Sequence, residues 1–97
     1  MRAITRDIVQ AFRAGEVMSK GNSNTDGNAL FLHGNKIAWW DEGHRLWIDT
    51  CGWNSNTTRE RLNGLPGVKV STKQGQMFLN GKEWDGQAVK VVEHNPF

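Results

Sequence analysis

Cysteine is almost missing from this chain. Cys51 is the one thiol in 97 residues, which excludes a disulfide framework and any multi-cysteine zinc module. Tyrosine is absent, and proline occurs twice. No apolar run exceeds four residues, the longest being 29–32 and 37–40. That excludes a membrane-spanning helix and a secretory hydrophobic region. Neither sign of charge dominates, with 12 Lys and Arg against 10 Asp and Glu for a net charge of +2. The balance holds on both sides of residue 50, so the chain has no polybasic tail and does not resemble an acidic mimic of DNA. Binding to nucleic acid would need basic side chains clustered in space, because this net charge is too small to drive it. A free thiol and no leader segment predict the reducing cytoplasm of a bacterial host.

Eleven glycines and nine asparagines imply many tight turns, and five tryptophans stand out against 37% apolar residues. The length supports one core, so 1–97 is expected to be a single domain. Ile4, Ile8, Val9 and Phe12 share one helical face. Thr5 is the expected cap, Asp7 lies in the first turn, and Gly15 is the stop. Residues 19–28 are polar and turn-rich and predict a flexible loop, either a connector or a binding loop. Residues 93–97 predict a loose tail.

Residues 29–51 predict a three-strand antiparallel meander. A two-residue turn at Gly34-Asn35 would pair Leu32 with Ile37 and Leu30 with Trp39. A second turn near Glu42-Gly43 would pair Trp39 with Leu46 and Ile37 with Ile48. One face then collects Leu30, Leu32, Ile37, Trp39, Leu46 and Ile48, which is the expected core face. The opposite face collects Phe31, Lys36, Ala38, Trp40, Arg45 and Trp47. These aromatics are either covered by the C-terminal part of the chain or form an aromatic–basic surface. Such a surface can stack bases or anchor a protein.

Thr57-x-x-Glu60 reads as a capping box for a short second helix, closed by Gly64 and Pro66. Leu62 and Leu65 are expected to face inward against Trp53, with Arg59 and Arg61 outward as binding candidates. A strand at 68–72 and one at 77–79 follow. Asn80-Gly81 is the strongest hairpin signal in the chain and pairs Phe78 with Glu83. After a turn at Asp85-Gly86, a last strand is expected over 88–92. The fold class is therefore α+β: an N-terminal helix, a three-strand antiparallel meander, a short second helix, then two or three further antiparallel strands. The leading α-β-β-β-α order matches double-stranded-RNA-binding domains in order alone.

Candidate chemistry is sparse. His33, His44, His94, Cys51, Asp41 and Glu42 supply no pair at metal-ligand spacing, so no metal or other cofactor is expected. Cys51 and His33 could share a sheet edge, but nothing around them reads as an oxyanion hole or a base-orienting group. A non-enzyme is expected.

The segments Leu30-Phe-Leu-His-Gly-Asn-Lys-Ile-Ala38, Gly52-Trp-Asn-Ser-Asn-Thr-Thr-Arg-Glu-Arg-Leu-Asn-Gly64, Phe78-Leu-Asn-Gly81 and Trp84-Asp-Gly86 form a recognisable series. It resembles a group of small proteins encoded by tailed bacteriophages and prophages, over roughly residues 4 to 86. The resemblance implies a setting, the infected bacterial cell, and brings no catalytic residues with it. It implies a binding protein that engages a host protein or ribonucleoprotein complex, such as one that inhibits a host defence system of the CRISPR-Cas kind. The alternative is a nucleic-acid-binding protein that uses the aromatic–basic face. Phe31, Lys36, Trp40, Arg45, Trp47, Arg59 and Arg61 are the candidate contact residues in either case. An exposed strand edge or tryptophan face also allows a homodimer.

Overall fold

The computed structural model describes residues 2–91. The chain runs α1 (Ala3–Ala14), β1 (Val17–Lys20), β2 (Ser23–Asp26), β3 (Ala29–Leu32), β4 (Asn35–Trp40), β5 (Leu46–Ile48) and α2 (Asn56–Asn63). It continues with β6 (Val70–Lys73), β7 (Gln76–Leu79), β8 (Lys82–Glu83) and β9 (Val89–Lys90). A six-stranded antiparallel sheet has the order β1-β2-β3-β4-β5-β9, and a smaller sheet has the order β6-β7-β8. The α+β class and the order of helix, antiparallel strands, short helix and further antiparallel strands are as the sequence predicts. Five strands separate the helices, however, so the order is not that of a double-stranded-RNA-binding domain.

The added pair is β1 and β2. The expected loop over 19–28 is a hairpin, although no alternation of apolar residues marks it. Its inward positions are Ser23 and Thr25, each 1% exposed. They can be buried because their hydroxyls have partners. Thr25 Oγ1 donates to the Ala29 carbonyl at 2.7 Å and accepts from the Gly27 amide at 3.1 Å. Asp26 Oδ1 accepts from the amides of Asn28 and Ala29 and shapes the turn into β3. A buried hydroxyl with its bonds made costs little.

α1 buries Ile8, Val9 and Phe12 as expected and ends at Gly15, whose φ of 72° is left-handed. Thr5 is not its cap. It lies inside the helix, fully buried, and Arg2 holds the N-cap position. The core gathers Ile8, Phe12, Leu30, Leu32, Ile37, Ala38, Ile48 and Leu62, with Val70 and Met77 from the smaller sheet and Trp84 just after it.

The meander register differs from the predicted one by two residues beside the β3–β4 turn and by one beyond it. The turn between β3 and β4 falls at His33-Gly34, both at positive φ (51° and 81°), so Leu32 pairs with Asn35 and Phe31 with Lys36. A bulge then brings Leu30 opposite Ala38 and Ala29 opposite Trp39. Across β4 and β5, Trp39 pairs with Trp47 and Trp40 with Leu46. The bulge lets Ile37 and Ala38 both face the core, at 1% and 0% exposure. It also reverses the two tryptophans that follow. Trp39 leaves the core face and Trp40 joins it.

The Asn80-Gly81 hairpin has the predicted register, Phe78 opposite Glu83. The last strand departs from sequential pairing. β9 crosses to the first sheet, where Lys90 pairs with Trp47 and Val89 with Ile48. Thr50 fixes this crossing, since its amide and its hydroxyl both donate to the Gly86 carbonyl, at 2.8 and 2.9 Å. A Cβ on Gly86 would lie 2.5 Å from Thr50 Oγ1, so the close approach requires glycine. The end of the predicted strand at Val92 and the tail at 93–97 lie outside the described residues.

Candidate interaction face and the fate of the basic residues

Side chains alternate along a strand, and this separates the two faces of the large sheet. Leu30, Ala38 and Ile48 stand in register and point into the core. Ala29, Trp39, Trp47 and Lys90 stand in the adjacent register, so they point the other way. Phe31, paired with Lys36, joins them. Both helices pack on the core side. On the opposite face Phe31, Trp39 and Trp47 are only half-buried, and none of them belongs to the core.

That outer face is centred on Trp39 and Trp47, half-buried and stacked with ring centroids 6.2 Å apart and planes 9° from parallel. The Lys36 ammonium lies 4.7 Å from the Trp39 ring centroid, a cation–π contact. Trp47 Nε1 donates to Asp41 Oδ2 at 2.9 Å. Asp41 also accepts from the amides of Gly43 and Arg45. These bonds, that from Trp47 foremost, hold its carboxyl below the usual carboxylate range. The indole of Trp47 is therefore fixed in place by an ionised acid.

Of the seven candidate residues, Phe31, Lys36 and Trp47 share this outer side, and Arg45 lies exposed in the turn before β5. Trp40 does not, because the bulge turns it to the core side. There it stacks on Phe12, with centroids 5.2 Å apart, and on His44 at 4.7 Å. Trp39, assigned to the core by the sequence reading, takes its place on the face. The one-residue bulge was the missing signal, and the run Ile-Ala-Trp-Trp carries no mark of it.

Arg61 is a second correction. Expected to face outward, it is 2% exposed and joins three elements. Its Nε donates to Ser23 Oγ at 2.9 Å, Nη1 to Thr5 Oγ1 at 2.7 Å, and Nη2 to Asn22 Oδ1 at 3.2 Å. Burial lowers its proton affinity and the nearby Glu60 carboxylate restores part of it, Nη1 lying 3.9 Å from Glu60 Oε1. Glu60 is not part of a capping box. It accepts from Thr5 Oγ1 at 2.6 Å and from the Arg2 amide at 3.2 Å, while Ser55 caps α2 by accepting from the Thr58 amide. Arg59 is half-buried and bonds the side chains of Asn54 and Asn56 at the start of its own helix. The two arginines therefore form no common patch with the tryptophan face. Trp53, expected to seat α2, is 62% exposed.

Cys51 is half-buried, and its thiol donates to the Lys36 carbonyl at 3.0 Å. Burial first, then the charge of Asp49, pushes its pKa up. A thiol held protonated in this way is a poor nucleophile. Among the described residues, no three His, Cys, Asp or Glu side chains gather as metal ligands, and no helix is long and apolar enough to cross a membrane.

A family model described as Kyanoviridae Gp96 protein matches residues 1–95. No curated protein and no solved structure matches the chain.

Proposed function

The chain belongs to the Kyanoviridae Gp96 family of phage proteins, and from that premise we propose that it is a non-enzymatic binding protein engaging a host protein or ribonucleoprotein complex through the outer face of its large sheet. The observation that carries this reading is the Trp39–Trp47 pair. Two large, half-buried aromatics stack in register on the sheet face opposite the core, and one of them is fixed by a carboxylate. Rigid tryptophans at the centre of a face, ringed by polar groups, are what dominate the energy of protein interfaces. A partner of the CRISPR-Cas kind, inhibited by occlusion, fits this mode and the phage setting.

The charges on the face favour a protein partner over bare nucleic acid. By strand alternation the same side carries Lys36 and Lys90 but also Asp26, and Asp41 joins it through its bond to Trp47. Such a mixed rim repels a phosphate backbone as much as it attracts one. Direct binding of single-stranded nucleic acid stands as the second reading, because Lys36 and Lys90 flank the tryptophans on which bases could stack.

The test is affinity purification of the tagged protein from phage-infected host cells, in parallel with a Trp39→Ala/Trp47→Ala variant. The reading expects a host complex to co-purify with the native chain and to be lost from the variant, whose cooperative melt shows it still folded. Retention of the same partners by the variant would overturn it. Steeply salt-dependent binding of labelled oligonucleotides by the native chain would favour the second reading.

A further inference from the structure

A cleft away from the tryptophan face, lined in part by the core-side residues Leu32 and Ile37, is independent of that face. Two of the segments singled out in the sequence, His33-Gly-Asn-Lys-Ile37 and Gly52-Trp-Asn-Ser-Asn-Thr-Thr58, are well separated along the chain. In the fold they meet. Between the β3–β4 turn and the start of α2 they enclose a cleft of about 470 Å³. Its apolar lining is Leu32 and Ile37, and Trp53 stands at its edge, 62% exposed. His33, Asn35 and Thr57 supply polar groups.

Those polar groups are unspent. Among the described residues, the side chains of Asn35, Thr57 and Trp53 make no hydrogen bond. His33 has one long contact, Nε2 to Asn22 Nδ2 at 3.5 Å. Asn22 Oδ1 is already taken by Arg61 and Ser23, so it is the Asn22 amide nitrogen that faces the His33 ring. The residues that line the cleft therefore bring the Trp53 indole, the His33 ring, the Asn35 amide as both donor and acceptor, and the Thr57 hydroxyl as either. No Lys, Arg, Asp or Glu lines it. Its size falls within the range of small-molecule sites.

We propose that this cleft binds a nucleobase, free in a nucleoside or presented by a nucleic-acid strand, with the base against Trp53 and its polar edge toward Asn35. A flat aromatic surface suits a base, an amide can meet a base edge with a paired donor and acceptor, and the missing cations fit a neutral heterocycle rather than a phosphate. The exposure of Trp53, which serves no packing purpose in the fold, follows from this role.

The probes are adenosine, guanosine, cytidine and uridine, with ribose as the sugar control, titrated into the full chain and followed by heteronuclear NMR. At least one nucleoside should produce saturable shifts at the Trp53 indole N–H, the Asn35 side-chain amide and the Thr57 amide, leaving the Trp39 indole unmoved. Loss of base stacking in Trp53→Ala should weaken that binding roughly tenfold, while Trp53→Phe keeps most of it. Both variants should melt with the native chain, given the exposure of the site. The assignment is overturned if no nucleoside at millimolar concentration moves these signals, if ribose moves them equally, or if Trp53→Ala binds as tightly as the native protein. None of these outcomes bears on the Trp39–Trp47 face, whose variant should bind nucleoside normally.

Discussion

Replacing Arg61 by alanine should be the most damaging single change in α2, although the residue reads from sequence as a solvated cation. Its guanidinium makes three side-chain hydrogen bonds, at 2.7, 2.9 and 3.2 Å, to residues of α1, of β2 and of the turn before β2. A hydrogen bond to a charged group is worth about 1.5–3 kcal/mol. The three do not simply add, because burying the charge has its own cost. The partners also keep one bond each, Thr5 to Glu60 at 2.6 Å and Ser23 to Asn22 at 3.0 Å. What remains is a cavity beside fully buried Thr5 and Ser23, with part of their bonding unmet. We expect Arg61→Ala to lose about 3 kcal/mol, in line with the ~3–5 kcal/mol typical of breaking a buried ionic cluster. For a domain of this size that lowers the melting temperature by roughly 15 °C. Arg61→Lys keeps the charge but not the three-pronged donor geometry, and should lose about 2 kcal/mol. Arg59→Ala removes bonds made only to Asn54 and Asn56, and should stay within about 1 kcal/mol of the native protein. The assay is urea unfolding followed by tryptophan fluorescence, with circular dichroism melts beside it. An Arg61→Ala protein within about 1 kcal/mol of native, or no more affected than Arg59→Ala, would refute the reasoning.

Trp40→Ala should lower stability by about 2–3 kcal/mol through loss of its packing on Phe12, whereas Trp47→Ala, which gives up a half-exposed stack and one bond to Asp41, should lose less, about 1 kcal/mol. Chemical denaturation of the two variants checks this. Acid should destabilise the fold through Glu60. The Thr5 hydroxyl, the Arg2 amide and the charge of Arg61 hold its pKa below the ordinary 4.5. Its stabilising effect is thus complete above pH 4.5 and is lost as pH falls through the lower folded value. Melting temperatures measured from pH 6 to pH 3 should fall less steeply for Glu60→Gln than for the native chain. Cys51, with its thiol pKa raised by burial, should react with iodoacetamide at pH 8 more slowly than a free cysteine peptide, and mass spectrometry of timed samples reads this directly.

What the sequence made legible was whatever a period or a turn dictates. The stripe of Ile8, Val9 and Phe12 gave α1, and Asn80-Gly81 gave a register that the structure keeps. Trp84 is buried, as a residue seating the last hairpin should be. The readings that failed depend on partners distant in sequence. Ser23 is buried in a strand because its hydroxyl meets the Arg61 side chain from 38 residues away, which no local pattern reveals, while Thr25 beside it turns its hydroxyl to the Ala29 carbonyl. The bulge at Ile37 moves by one residue, and since strand alternation has period two, that step exchanged Trp39 and Trp40 between faces. The aromatic face was legible in kind, while the identity of its second tryptophan was decided by this single displaced residue. The cleft beside Trp53 was not legible, because its two walls come from segments that only the fold brings together.

The central claim is that the face bearing Trp39 and Trp47 is the contact surface. Hydrogen–deuterium exchange of the chain alone and in the complex recovered from infected host cells tests it most directly. The account predicts new protection in β3, β4, β5 and β9 around Phe31, Lys36, Trp39, Trp47 and Lys90, with α2 and the smaller sheet unchanged. Protection confined to α2 or to the β6-β7-β8 sheet, with the tryptophan face exchanging as in the free protein, would contradict it.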